Sequence, residues 1–236
     1  MIREDPHNAR VLYVGTESGL FVSIDGGGHW VRWKSTMPYT AVRSLVIHPR
    51  DREVVVGTFG LALWIGDVSV IEQLETALGQ RAFLFDVKPA TAYNVRYTYG
   101  TSVEEINGDA FFRGQNPPYG ATISYFLREP VGGDVTVAVS DGAGKVVRTL
   151  TGPGAAGLHH VQWNLETDAA QAQLQAAGGG RGGGDRSAVT FSERQRKRRV
   201  APGQYTVALS GGGLSLRKTV VVKAEGDDVR RVLPRK

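Results

Sequence analysis

The chain of 236 residues contains no cysteine, so a disulfide, a thiolate metal centre and a cysteine nucleophile are all excluded. No stretch approaches the roughly 18 consecutive apolar residues that a membrane-crossing helix needs. The opening residues Met1 to Arg10 lack the apolar core of a secretory signal. No serine sits in a nucleophile elbow. The histidines His7, His29, His48, His159 and His160 lack metal-ligand spacing, and the adjacent pair should point to opposite faces of a strand. No metal and no cofactor is expected.

What is present is 31 glycines and 41% hydrophobic residues in a length sufficient for one or two packed cores. The net charge of +5 is concentrated in one place: residues 178–200 hold seven basic and two acidic side chains, and the rest of the chain balances. Arg194, Arg196, Lys197, Arg198 and Arg199 form the candidate polyanion-binding run. Only one ring, Phe191, lies near it, whereas single-strand binding needs interleaved aromatics, so a solvated loop is the favoured reading and nucleic acid is not an expected partner. Gly178 to Gly184 has no Gly-Lys-Ser/Thr and no strand feeding a helix, which favours a flexible loop over a phosphate cradle.

An internal repeat organises the first part of the chain. Leu12-Tyr13-Val14-Gly15-Thr16 recurs as Val54-Val55-Val56-Gly57-Thr58, and Gly19-Leu20-Phe21-Val22-Ser23 as Ala62-Leu63-Trp64-Ile65-Gly66, at offsets of 42 and 43 residues. That period matches a propeller blade of about 40 to 45 residues and four short strands. His29 to Trp33 and Val42 to Ile47 supply further strands, while Ile2 to Pro6 reads as only the end of one. Strands for about one and a half blades are counted, against the four to eight that close a propeller. The expectation is an incomplete propeller, its missing blades supplied in cis by a longer protein or by another chain.

Ser23, Asp25, Gly27 and Trp30 fit the turn pattern Ser-x-Asp-x-Gly-x-x-Trp, the Asp box. The carboxylate can accept the turn's own N–H groups, glycine permits positive φ, and Trp covers the hairpin. A structural Asp25 is favoured over a catalytic or calcium-binding one, because no second carboxylate stands at ligand spacing from it. Ser69 to Leu78 reads as a helix with a Ser69/Glu72 capping box, a mostly apolar stripe through Ile71, Leu74, Glu75 and Leu78, and Gly79 as its stop.

The domain reading is terminal blades over 1–87, a linker over 88–118, a β-sandwich over 119–225 and a basic tail over 226–236. In the third part Val135, Val137 and Val139 share one face, as do Val161, Trp163 and Leu165, and Tyr205, Val207 and Leu209. Asp141 to Gly144 makes a hairpin turn, and a long Gly/Arg-rich loop at 167–201 opens with a turn or two of helix after Asp168. The fold class expected is all-β, with an immunoglobulin-like β-sandwich following the blades.

These motifs carry a resemblance. The repeats and the Asp box resemble the final blades of sortilin-type, neuraminidase-repeat propellers from bacterial proteins often labelled glycosyl hydrolases. Phe112 to Ala121, Asp141 to Leu150 and Pro202 to Val207 are similar to the immunoglobulin-like module that follows such propellers, and to that of flagellar-hook-capping proteins. The resemblance implies export of the parent protein to the periplasm or beyond. Glycoside hydrolysis requires two facing carboxylates, and Asp5, Glu17, Asp25, Asp51, Glu53 and Asp67 match no catalytic motif. The function expected is a non-catalytic protein- or glycan-interaction module. The alternative is the C-terminal portion of a glycoside hydrolase whose carboxylates lie upstream of Met1.

Overall fold

The computed structural model describes residues 1–34, 37–93, 117–176 and 198–226. Most of the linker and of the Gly/Arg-rich loop, and the tail beyond residue 226, lie outside the described residues. The described chain is all-β apart from two short helices. It divides into two compact units, the first spanning Met1–Arg81 and the second beginning at Ala82.

The first unit consists of two antiparallel meanders. β1 (Ile2–Glu4), β2 (Leu12–Thr16), β3 (Gly19–Ser23) and β4 (Val31–Arg32) lie side by side in that order. β5 (Val42–His48), β6 (Glu53–Thr58) and β7 (Leu63–Asp67) form the second sheet. β1 pairs with β2 through Ile2 opposite Val14, so the first repeat has an opening strand after all. The count of one and a half blades is corrected to one four-stranded and one three-stranded sheet.

Alternation along each strand decides which face enters the core. Tyr13, Leu20 and Val22 on the first sheet share one apolar cluster with Leu45, Ile47, Val54, Val56 and Trp64 on the second. Gly15 fits tightly against the second sheet: a Cβ built there would sit 2.5 Å from Val42 Cγ1. Trp33 packs where Gly66 leaves room, since a Cβ on Gly66 would come within 3.2 Å of the ring.

α1 (Ile71–Leu78) ends at Gly79 as expected, but Gly79 keeps right-handed φ and donates to the Glu75 and Thr76 carbonyls. The capping box does not form. Val70 is the N-cap, no side chain caps the helix, and the Glu72 carboxylate turns to Arg52 instead. The apolar stripe holds only in part: Ile71 packs against the core, whereas the buried helix residues are Glu72 and Ala77 and Leu78 is exposed.

The second unit has two sheets around one core. β8 (Ala82–Leu84), β10 (Ala121–Leu127) and β13 (Gly157–Trp163) form the first, with β10 central. β12 (Val146–Gly152), β11 (Val135–Ser140), β14 (Gly203–Gly211), β15 (Leu214–Ala224) and β9 (Ala90–Ala92) form the second, β9 running parallel to β15. Reading 1–87 as one domain is therefore corrected: Leu84 pairs with Tyr125, and the hydrogen bonds of β8 tie it to the second unit.

Each predicted inward triplet is buried, Val135, Val137 and Val139 completely, and both sheets contribute to one cluster around Trp163. The Trp163 ring meets Tyr205 edge-on at 5.4 Å, an arrangement favoured by the aromatic quadrupole. α2 (Asp168–Ala176) opens the 167–201 loop and is held by Asp168, which accepts from Thr149 N–H at 2.9 Å and from Arg148.

Candidate functional site

The turn from Ser23 to Trp30 is held by side-chain hydrogen bonds of Ser23 and Asp25. The Ser23 hydroxyl donates to Asp25 Oδ1 at 2.7 Å and accepts the Gly27 N–H at 2.9 Å. Asp25 Oδ1 also accepts the His29 N–H at 2.9 Å, and its Oδ2 lies 2.6 Å from His29 Nδ1. Gly26 and Gly27 adopt φ of 75° and 96°, conformations that cost little without a Cβ. Trp30 sits beside Gly27 but remains 39% exposed, so it covers the turn only partly. The His29 backbone N–H, then the Ser23 hydroxyl and the His29 ring, hold the Asp25 carboxyl well below the usual carboxylate range. A carboxylate so engaged is a turn organiser.

A second cluster, unread in the sequence, gathers residues from both repeats around α1. Asp5 and Glu72 are 2% and 5% exposed. Asp5 Oδ1 accepts the His7 and Asn8 N–H groups at 2.8 and 3.2 Å, and Oδ2 accepts the Tyr13 hydroxyl at 3.1 Å. Burial first, and Asp5 next, push the Tyr13 hydroxyl far above its ordinary range, which keeps it a donor. Arg52 forms a charge-assisted pair with Glu72 Oε2.

Arg52 adopts φ of 52°, a left-handed conformation that costs a non-glycine residue on the order of 1–3 kcal/mol. Its equivalent one repeat earlier, Arg10, donates to Glu75 at 2.8 Å, so the same position of each repeat grips α1. The sequence signal for this was available as the 42-residue offset between Arg10 and Arg52, but the acids they meet lie outside the repeat.

Burial raises the Glu72 carboxyl above its usual range, opposed by the Arg52 hydrogen bond and reinforced by Asp5. Glu72 Oε1 is buried without a hydrogen-bond partner and lies 3.5 Å from His7 Nδ1. Ligand atoms of Asp5, His7 and Glu72 come within 4.8 Å of one another, a spacing compatible with a divalent ion. Both Asp5 oxygens already accept hydrogen bonds and Arg52 neutralises Glu72, so of these carboxylate oxygens only Glu72 Oε1 is left without a hydrogen bond. A retaining glycosidase pair would need a sugar to enter between the two acids. Neither acid reaches solvent, which leaves no place for a sugar between them.

Of the basic run, Arg194, Arg196 and Lys197 lie outside the described residues. Arg199 pairs with Glu166 as a backbone bridge, donates from its side chain to the Tyr93 carbonyl and stacks 4.6 Å from the Tyr119 ring centre. The adjacent histidines are separately employed, His160 Nδ1 at 2.8 Å from Ser124 Oγ and His159 Nε2 at 2.7 Å from the Ala155 carbonyl. No helix among the described residues is long and apolar enough to cross a membrane.

The fold and the two clusters thus define an all-β protein of repeated meanders with structural polar nodes. Scans of protein-family models, curated proteins and solved structures return no match to this chain.

Proposed function

We propose that this chain is a non-catalytic contact module, built from terminal blades of a sortilin-type propeller and an immunoglobulin-like β-sandwich, acting in an exported protein by binding protein or glycan. The observation that carries the reading is the outer face of β5–β7, where Val46, Leu63 and Ile65 are 56%, 69% and 66% exposed. Contiguous apolar surface of this kind marks a contact site on a folded protein. The employment of Asp5, Asp25 and Glu72 in structural bonds speaks against catalysis by the chain itself.

The test is a panel of aryl glycosides assayed across acidic and neutral pH with the wild-type chain, Asp25→Asn and Glu72→Gln, beside a glycan-binding array. No turnover by any of the three is expected. Turnover that disappears in either variant would overturn the non-catalytic reading and favour the hydrolase alternative.

A further inference from the structure

The repeat offset gives the residues of β2 and β3 equivalents one repeat later, in and beside β6 and β7. Tyr13, Gly15, Leu20 and Val22 correspond to Val55, Gly57, Leu63 and Ile65, whereas Leu12, Val14 and Phe21 correspond to Val54, Val56 and Trp64. Strand register keeps each set on one face: Tyr13 lies opposite Val22, Val14 opposite Phe21, Val55 opposite Ile65, and Val56 opposite Trp64.

The packing inside the unit then has a direction. The first sheet uses its Tyr13/Leu20/Val22 face, and the second meets it with its Val54/Val56/Trp64 face. Two faces remain outside that core. One is the Val55/Leu63/Ile65 face of the second sheet, the repeat equivalent of the face the first sheet buries. The other is the face of the first sheet with half-buried Leu12, Val14 and Phe21 and with Ile2, 55% exposed, and it is the equivalent of the face the second sheet buries.

We infer that these faces bind each other between two copies of the chain, the Ile2/Leu12/Val14/Phe21 face of one copy seated on the Val46/Val55/Leu63/Ile65 face of the next. Such a contact continues the sheet-on-sheet interface already present within the molecule, using the same repeat positions on both sides. It is head-to-tail, since the two surfaces differ, and a contact of this type either closes a ring or propagates. A second copy is the occupant favoured because it brings the complementary face at the same 42–43-residue spacing.

The test is sedimentation of the full chain as wild type, Ile2→Glu and Ile65→Glu, with circular dichroism confirming that each variant folds. Wild type should show mass rising with concentration. Each variant places a charge in one face and should associate at least about 100-fold more weakly, because a buried unpaired carboxylate is costly.

A 1:1 mixture of the two variants retains one intact face of each kind and should recover a dimer that stops there. Folded wild type that stays monomeric at every concentration overturns the inference, as does association that neither variant weakens. Variants that lose association singly and fail to recover it when mixed overturn the head-to-tail geometry. The inference rests on the contact-module reading, yet the two fail separately: glycoside turnover would sink that reading with self-association intact, and a monomer would leave it standing with another partner.

Discussion

Replacing Tyr13 with Phe removes one oxygen from the polar node of the first unit and nothing else. Tyr13 is fully buried, and its ring belongs to the core shared by the two meanders, so the isosteric change opens no cavity. What is lost is the 3.1 Å bond from the hydroxyl to Asp5 Oδ2, which leaves a carboxylate oxygen dry and unpaired. Hydrogen bonds to charged groups contribute about 1.5–3 kcal/mol, so about 2 kcal/mol of the first unit's stability should go.

Because the chain has two units, a single melting curve does not isolate this loss. Native-state hydrogen exchange at the β2 and β3 amides does, and about 2 kcal/mol corresponds to exchange roughly 30-fold faster. A double-mutant cycle with Asp5→Asn assigns the effect to the pair. If Tyr13→Phe costs as much in the Asp5→Asn background as in wild type, or leaves exchange unchanged, the node does not hold the repeat turns and the reasoning fails.

Gly15→Ala should destabilise the first unit by about 1–3 kcal/mol through overpacking, since its Cβ would meet Val42 Cγ1 at 2.5 Å; hydrogen exchange at the β2 amides reads the loss, and Val42→Ala should restore part of it. Asp25 should titrate well below the usual carboxylate range in a carbon-detected NMR titration. Its folded-state value is depressed, so the stability it contributes is present above the unfolded value and is lost as pH falls through the folded one. Asp25→Asn should remove that segment of the pH dependence, and an unaltered profile would show the turn to be organised without the charge.

Local chemistry made much of this legible in advance. The turn from Ser23 to Trp30 was legible because the bonds of Ser23 and Asp25 join residues no more than four apart in sequence, although Gly26 also reaches the Arg10 carbonyl from outside it. Each inward triplet of the second unit could be read because strand alternation has a period of two, and burial then follows from the pattern. The helix was visible in outline but not in orientation. Its apolar stripe implied one buried face, whereas Arg52 and Asn8 draw Glu72 inward. The boundary at Ala82 was invisible because β8 owes its membership to β10, some forty residues later.

By itself, then, the sequence determined the all-β class, the repeat with its 42–43-residue period, and the turn that Asp25 organises, because these depend on periodicity and on hydrogen bonds between near neighbours. Only the tertiary structure decided that Asp5, Tyr13, Arg52 and Glu72 meet, and which face of each meander is buried and which is left outside. Both outcomes depend on how one repeat stacks on the next. Two equivalent apolar faces look the same along the chain, and only packing distinguishes the one that has found its partner from the one that has not.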